Sequence, residues 1–355
     1  MELVKNAWYV AAWPREIVEG QMLARKICGE SMILFRDAHG DVSALEDRCC
    51  HRELPLSKGW IEGGTVRCGY HGLRFDGTGK CVECPMQEKI PANATVRKYL
   101  TEIRYGWVWI WTGDAAVCDP DKIPSMFERN DHPDWTACGD TTFVKGNYQL
   151  ISDNLLDLTH ETYIHRTSLG SQHVVQNPIE VVQYGETVTV KRLMPDHEPA
   201  PFWKAMLFEK LGRHVNADRW QVLNFSPPAN IVLDAGVAPA GSGAMSGDRA
   251  AGVEGCNLNA ITPCDEHSTW YFWAFSRKFN QHDSALTERI VKSIASIIEE
   301  DRDAIEAIEQ RTQAQPRRDT ISLSTDRGQL IARRLVKKQI EKESLPAWAR
   351  SSSGG

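Results

Sequence analysis

Residues 48–76 read RCCHRELPLSKGWIEGGTVRCGYHGLRFD, a segment in which two mixed Cys/His pairs recur. Cys49 and His51 form a C-x-H pair, and Cys68 and His71 form a C-x-x-H pair after a spacer of sixteen residues. Two loops that each carry one thiolate and one imidazole can hold a two-iron cluster, with the cysteines on one iron and the histidines on the other. The same four donors could also close a tetrahedron around a single zinc ion.

The mixing of residue types within each loop favours the cluster over the zinc ion. Zinc fingers usually group the two cysteines together and the two histidines together. Replacing two thiolates of a cluster by neutral imidazoles is the Rieske arrangement, which the pattern predicts. Gly69 and Gly72 should let the second loop pass close to the cluster without a Cβ clash. Cys50 is not expected to be a ligand, and the C-x-x-C pair Cys81 and Cys84 is interpreted as small residues packed behind the cluster.

A second group of donors lies in residues 153–165, DNLLDLTHETYIH, inside a helix-like segment. Two imidazoles need a carboxylate to complete the two-His, one-carboxylate face that binds ferrous iron. Because residues five apart do not share a helix face, His160 and His165 can meet one metal only if the helix bulges or ends between them. Asp157, three residues before His160, could hydrogen-bond that imidazole. Histidines on a helix that are merely solvated or capping remain the alternative.

The carboxylate is predicted from a long helix that should run from about Ser284 to Gln313, with SALTE resembling a capping box. At 100° per residue, Asp301 falls about 20° from Ile290, within an apolar stripe, whereas Glu300 falls off it. An unpaired buried carboxylate is costly, so a metal should meet Asp301, with a buried salt bridge as the alternative. The stripe is Ile290, Ile294, Ile297, Ile298, Ile305 and Ile308. The predicted iron ligands are His160, His165 and Asp301.

The length of 355 residues suits two domains better than one. We predict an all-β cluster domain over residues 1–115, a helix-plus-antiparallel-sheet domain of helix-grip type over 116–345, and a flexible tail over 346–355. The net charge of −6 argues against a nucleic-acid partner. No apolar run reaches the roughly 18–20 residues of a membrane span, and no signal peptide is evident. The ten cysteines therefore indicate a reducing cytoplasm rather than disulfides.

Together these segments resemble the Rieske non-haem iron ring-hydroxylating oxygenases. The resemblance is strongest to the vanillate O-demethylase oxygenase branch, with the toluenesulfonate methyl-monooxygenase and dicamba O-demethylase branches near it. It covers nearly the whole chain. The segments that carry it are KNAWYVAAW, RCCHRELPLSKG, CGYHGLRFD, DNLLDLTHETYIH, APFW, DRWQ, WYFWAFSRKF and EEDRDAIE.

The resemblance implies a [2Fe-2S] cluster on Cys49, His51, Cys68 and His71, and mononuclear Fe(II) on His160, His165 and Asp301. It implies that Asp157 bridges the two centres between neighbouring subunits of a homotrimer, and it puts Asn154 beside the iron. Asn259 aligns with a polar pocket position of the dicamba branch, although a strand residue facing solvent or a ladder partner is the plainer interpretation. Among the basic residues Lys191, Arg192 and Arg219, no spacing argument selects one that meets a substrate acid.

The implied activity is O-demethylation of a vanillate-like methoxybenzoate to the phenol and formaldehyde. It would use O2 and electrons from a separate flavin and iron–sulfur reductase that oxidises NADH. The alternatives are methyl hydroxylation of an arylsulfonate, or dioxygenation of a ring, by the same metal sites. A zinc-stabilised binding protein without turnover is the remaining alternative of a different class. Neither a nucleic acid nor a membrane is expected as a partner.

Overall fold

The computed structural model describes residues 3–166, 168–170, 176–315 and 320–345. The chain divides into two compact units, the first formed by Met1–Ile123 with Thr262–Glu266 and the second by Pro124–Ile261 with His267–Gly355. The predicted boundary between residues 115 and 116 stays a prediction. The predicted tail at 346–355 lies outside the described residues.

The first unit is built from antiparallel strands. Its larger sheet has the order β1-β10-β9-β4-β3-β2, and its smaller sheet has the order β5-β6-β7-β8. Strand β3 pairs with β4, and β7 pairs with β8, as antiparallel hairpins. The strands are β1 (Trp8–Ala12), β2 (Leu23–Ile27), β3 (Glu30–Arg36), β4 (Val42–Glu46), β5 (Trp60–Glu62), β6 (Thr65–Arg67), β7 (Arg74–Phe75), β8 (Cys81–Glu83), β9 (Lys98–Arg104) and β10 (Trp107–Trp111).

Apolar burial explains the first unit. Every residue of β10, the aromatic-rich run WVWIW, is buried, which is typical of a strand of this composition. The smaller sheet closes over a separate apolar cluster that contains Ile33, Phe35, Val66 and Phe75. The Cys49/His51 loop precedes β5, and the Cys68/His71 loop joins β6 to β7. Both cysteines belong to this cluster, so they are part of the apolar core rather than of a solvated surface.

The second unit has a seven-stranded antiparallel sheet in the order β11-β17-β16-β15-β14-β13-β12. The last residues of β16, from Thr262 onward, group with the first unit. The strands are β11 (Thr136–Val144), β12 (Ile179–Tyr184), β13 (Thr187–His197), β14 (Ala217–Ser226), β15 (Asn230–Pro239), β16 (Val253–Asp265) and β17 (Ser268–Arg277). The helices are α1 (Tyr148–Leu156), α2 (Glu161–Ile164), α3 (Pro201–Leu211), α4 (Ser284–Ala314) and α5 (Arg327–Ser344).

Helices α3 and α4 cover the sheet through an apolar cluster that includes Trp203, Leu207, Phe275 and Ile290. This arrangement of helices on an antiparallel sheet confirms the predicted fold class. A cis peptide bond joins Pro227 to Pro228 in the turn between β14 and β15.

Helix α4 confirms the predicted long helix and corrects two details of it. Its N-cap is Asp283, whose side chain accepts a hydrogen bond from the backbone N–H of Leu286, so the predicted capping box is not used. Ile308 was predicted to lie in the apolar stripe but is 51% exposed, whereas Glu309 is buried. The buried face turns from about 320° at Leu286 to about 100° at Glu309, taking Ile290 as zero. A helical wheel with a fixed 100° step and one fixed buried direction does not predict this gradual rotation of the buried face. The rotation is consistent with a long helix that packs across a twisted sheet.

Candidate metal centres and active site

The two Cys/His loops of the first unit share one backbone design. In each loop the N–H of the cysteine donates to the carbonyl of the leucine five residues later, Leu54 or Leu73. The residue before that leucine donates back to the cysteine carbonyl and has a positive φ, 60° at Glu53 and 74° at Gly72. Each loop therefore curls around the space in front of its cysteine in the same way.

The cysteines lie inside this curl and the histidines lie at its rim. Cys49 and Cys68 are buried, His71 is half-buried and His51 is exposed. The two imidazole rings meet with centroids 4.4 Å apart at 61°. Burial raises the pKa of the Cys49 thiol to about 11, and the neighbouring Cys68 adds to this shift. A thiolate pair at this place requires a cationic partner, which is what a bound metal supplies.

The spacing of the donors fits two metal ions better than one. Among the residues that the structure describes, the one set of three His, Cys, Asp or Glu donors within 4.8 Å of one another is in the second unit. A single zinc ion with bonds of about 2.0–2.3 Å would draw the four Cys and His donors of the first unit at least as close. The Cys49 side chain instead contacts that of Cys68, and the His51 ring contacts that of His71, and this pairing of like donors suits a two-iron cluster.

The neighbouring residues refine the sequence interpretation. A Cβ on Gly69 would meet the Lys58 carbonyl oxygen at 2.6 Å, so this glycine is needed for a close approach to protein backbone rather than to the cluster. Gly72 is needed for its positive φ. Cys50 is exposed, whereas Cys81 belongs to the apolar cluster and Cys84 packs against it. The interpretation of Cys81 and Cys84 as packed residues agrees with this geometry.

In the second unit the chain brings His160, His165 and Asp301 together from two distant segments. Asp301 Oδ1 lies 3.2 Å from His165 Nε2 and 3.5 Å from His160 Nε2, and the two rings are 5.2 Å apart. Donor atoms that each lie about 2.1 Å from one ion are separated by about 3–4 Å, so the set fits a shared ferrous ion. Asp301 is 8% exposed, as its place in the apolar stripe required.

The two histidines converge because the helix ends before them. Helix α1 stops at Leu156 with Asp157 as its C-cap, and the one-turn helix α2 starts after His160 and ends before His165. Asp157 does contact the His160 ring as predicted, but through its backbone carbonyl rather than its carboxylate, because the chain is no longer helical there. His160 Nδ1 meets the backbone carbonyl of Asp157 at 2.5 Å. The carboxylate of Asp157 instead accepts hydrogen bonds from the backbone N–H and the hydroxyl of Thr159.

A carboxylate that the sequence analysis set aside contacts the site directly. Glu300 Oε2 lies 2.6 Å from His165 Nδ1, so the imidazole lies between Glu300 and Asp301. Burial alone would lower the pKa of His165, but hydrogen bonding and charge from Asp301, together with Glu300, raise it to about 9. This concentration of negative charge around a buried imidazole is a favourable place for a metal cation. Asn154 donates to Asp301 Oδ1 at 3.0 Å, which places it beside the site.

A buried polar clamp holds the histidine segment on the sheet. Arg219 donates to the Glu161 carboxylate at 3.1 Å, and Gln221 donates to the other oxygen of Glu161. Arg192, whose Cα pairs with that of Gln221 across β13 and β14, donates to the Leu158 carbonyl at 2.6 Å. Arg192, Arg219 and Gln221 are each at most 2% exposed. The charge of Arg219 is thus paired with that of Glu161. Lys191 forms an ion pair with Glu180, with Nζ and Oε2 3.9 Å apart.

The donor set opens onto a cavity inside the second unit. Asn259 is 3% exposed and lines this cavity, so it does not face solvent. The other part of the plainer sequence interpretation fits, because Asn259 meets its ladder partner Ile231 across β15 and β16. Its amide donates to the Ile231 carbonyl, and its oxygen accepts from the Tyr271 hydroxyl at 2.7 Å. Its contact with substrate stays a prediction. The apolar lining includes Leu155, Leu158, Leu169, Phe202, Trp203, Leu223, Leu233, Phe275, Ile294 and Ile297, and the polar lining includes Glu161, Arg219, Gln221, Asn257, Asn259 and Tyr271.

The sequence matches two family models. Residues 7–99 match the Rieske [2Fe-2S] domain, and residues 144–342 match the vanillate O-demethylase oxygenase C-terminal domain. Fold and donor sets together define a Rieske non-haem iron oxygenase. More narrowly, the chain belongs to the vanillate O-demethylase oxygenase family within that class. The alternative of a zinc-stabilised binding protein is therefore wrong.

The most similar relatives include members of each predicted branch. The vanillate O-demethylase oxygenase subunit of a Pseudomonas sp. is 37% identical over 97% of this chain and 96% of its own. The iron-sulfur subunit of the toluene-4-sulfonate monooxygenase system of Comamonas testosteroni is 38% identical over 96% of this chain and 98% of its own. The structure of dicamba monooxygenase bound to 3,6 dichlorosalicylic acid superposes with a TM-score of 0.88 at 31% identity, over 98% of this chain and 100% of its own. Another structure of dicamba monooxygenase contains non-heme iron.

None of the helices in the described part of the chain has the length and apolar character that a membrane span requires.

Proposed function

We propose that this chain is the terminal oxygenase of a multicomponent system that hydroxylates a methyl or methoxy group of an aromatic acid. The observation that carries the proposal is the convergence of His160, His165 and Asp301 at the wall of a largely apolar cavity. A two-His, one-carboxylate face leaves coordination positions open, which is what O2 chemistry needs. The family and its O-demethylase relatives support the same reaction class.

Two metal groups would be held by the two donor sets. Cys49, His51, Cys68 and His71 would hold the Rieske cluster, and His160, His165 and Asp301 would hold mononuclear Fe(II). When bound, these groups supply one-electron transfer and the activation of O2. The chain's own contribution is to fix the donors. Asp157 holds His160 through its carbonyl, and Asn154 holds one oxygen of Asp301.

The preferred substrate is a vanillate-like methoxybenzoate. Phe202, Trp203 and Phe275 line the cavity and offer flat apolar surface to an aromatic ring. Asn259 lies among the polar groups that could orient the ring substituents. Insertion of one oxygen atom into a methoxy C–H bond gives a hemiacetal, and its collapse releases formaldehyde and leaves the phenol. The second oxygen atom leaves as water, with two electrons delivered from NADH.

Those electrons would come from a separate reductase that carries flavin and an iron–sulfur centre. The names of the relatives, which are oxygenase components or subunits of larger systems, support a separate electron donor. We further propose a homotrimer in which Asp157 lies between the cluster of one subunit and the iron of the next. Among the described residues, one carboxylate oxygen of Asp157 accepts both Thr159 donors and the other accepts none, so it is available to a neighbouring subunit.

A second candidate is methyl hydroxylation of an arylsulfonate, which the toluene-4-sulfonate monooxygenase relative favours at a similar level of identity. The same sites and cavity would serve it. Ring dioxygenation remains a third outcome of the same metal chemistry.

The test is product analysis with the full chain, a ferredoxin-type reductase, NADH and O2. Vanillate and 4-toluenesulfonate are supplied in parallel, and formaldehyde, hydroxymethyl product and oxygen uptake are measured. Formaldehyde formed in equal amount to the phenol supports demethylation. A hydroxymethyl sulfonate without formaldehyde supports the second candidate. Absence of formaldehyde and of oxygen uptake across a panel of methoxybenzoates would rule out demethylation.

A further inference from the structure

Each of the three proposed iron ligands is held by a different kind of partner. His160 Nδ1 meets a neutral backbone carbonyl, that of Asp157. Asp301 accepts from the neutral amide of Asn154. His165 is the exception, since its Nδ1 meets the carboxylate of Glu300 at 2.6 Å. One of the two imidazoles therefore has an anionic partner, and the other has a neutral one.

We propose that Glu300 is a positioning residue that locks the tautomer and orientation of His165 and strengthens its hold on the iron. The inference rests on the proposed function, because it assumes that His165 is an iron ligand. A carboxylate that accepts a hydrogen bond from Nδ1–H keeps the proton on Nδ1, so Nε2 is the atom that can bind the metal. It also makes the imidazole a stronger donor, as outer carboxylate partners of metal-bound histidines do.

Helix α4 carries both carboxylates that contact His165. Glu300 and Asp301 are consecutive residues, so their side chains leave the helix about 100° apart. His165 fits between them, with Nδ1 toward Glu300 and Nε2 within 3.2 Å of Asp301 Oδ1. A single rigid helix therefore fixes both edges of the ring. His165 is 2% exposed and does not reorient freely in this packing.

Burial separates the roles of the two carboxylates. The Glu300 side chain is 35% exposed, whereas that of Asp301 is 12% exposed and faces the cavity. Glu300 therefore lies on the water-facing edge of the His165 ring, and Asp301 lies on the cavity edge. Glu161, four residues before His165, has its two carboxylate oxygens taken by Arg219 and Gln221. The direct anionic contact of His165 on its outer edge is therefore Glu300.

The chain offers a matched control in Glu299. It precedes Glu300 on the same helix, carries the same charge and is exposed. A loss of iron caused only by reduced negative charge on α4 would appear in Glu299→Ala as well as in Glu300→Ala. A loss caused by the contact with His165 would appear in the second variant alone.

The test compares the reconstituted holoenzyme with Glu300→Ala, Glu300→Gln and Glu299→Ala. The affinity for Fe(II) is measured by competition with a chelator, and the visible spectrum of the Rieske cluster reports on folding. We expect Glu300→Ala to weaken Fe(II) binding by about 10–100-fold, and Glu300→Gln, which keeps an acceptor but loses the charge, to fall between it and the wild type. Glu299→Ala should stay within about twofold. The quartet electron paramagnetic resonance signal of the nitric oxide adduct should change shape in the Glu300 variants alone.

Glu300→Ala with Fe(II) affinity within about twofold of the wild type would overturn the inference. Where Glu300→Ala does not fold, the near-isosteric Glu300→Gln decides, and unchanged affinity with an unchanged nitric oxide signal overturns the inference equally. If the wild-type protein binds no mononuclear Fe(II), the proposed function itself is contradicted. The two failures are therefore distinguishable.

Discussion

Replacing Glu161 by Gln should strongly destabilise the second unit. The change leaves the Arg219 guanidinium, whose side chain is 2% exposed, without its anionic partner at 3.1 Å. The amide can still bond Gln221, but it cannot neutralise a buried cation. Breaking a buried ion pair from one side costs about 3–5 kcal/mol. For a unit of roughly 200 residues this corresponds to about 6–20 °C in the unfolding temperature.

The assay is thermal unfolding by calorimetry, with two comparison variants. In the double variant Glu161→Gln with Arg219→Met both charges disappear together, and we expect at least half of the loss to be recovered. Lys191→Met removes an exposed pair with Glu180, and it should change stability by less than about 1 kcal/mol. If Glu161→Gln unfolds within about 2 °C of the wild type, or if the double variant is less stable than the single one, the buried clamp does not hold this segment as argued.

Three further outcomes are expected. Asp301→Ala should lose the mononuclear iron yet keep the visible spectrum of the cluster, and retained iron with normal turnover would show the ligand assignment to be wrong. Asp157→Asn should keep both metals but slow electron transfer between them in single-turnover experiments, so a wild-type rate would count against the bridge. Burial raises the pKa of the Cys256 thiol to about 12, so its contribution to stability is complete below pH 9 and is lost as the pH rises toward 12. Cys256→Ala should therefore reduce the slope of stability against pH between 9 and 12 by up to about 1.4 kcal/mol per pH unit, and an unchanged slope in denaturant unfolding would refute this.

Periodicity and donor chemistry were sufficient for part of the site. Asp301 could be found because a carboxylate in the apolar stripe of a long helix needs a partner, and the structure brings it to His160 and His165. The Cys/His loops were recognisable because their ligands are local in sequence. Both inferences depend on short-range geometry, which a sequence carries directly.

Contacts made by long side chains and by backbone atoms were not predictable in the same way. Glu300 lies off the apolar stripe, yet its flexible side chain reaches around the helix to His165. The Asp157 carboxylate was assigned to His160 on the assumption that the helix continues, and the helix ends at Leu156. Helix ends depend on tertiary contacts that local propensity does not specify.

The buried arginines had a signal that the sequence analysis did not use. In β13 the residues Val188, Val190, Arg192 and Met194 alternate in phase, and all four are buried. Strand alternation therefore placed Arg192 on the inner face. It did not identify its partner, because the Leu158 carbonyl lies in a turn far away in sequence.

The most direct test of the account is the metal and sulfide content of the full chain purified without oxygen. The chain should contain about three iron atoms and about two acid-labile sulfides, one iron being removable by a chelator while the Rieske electron paramagnetic resonance signal persists. Zinc in place of iron, or protein without acid-labile sulfide, would contradict the presence of two separate iron centres.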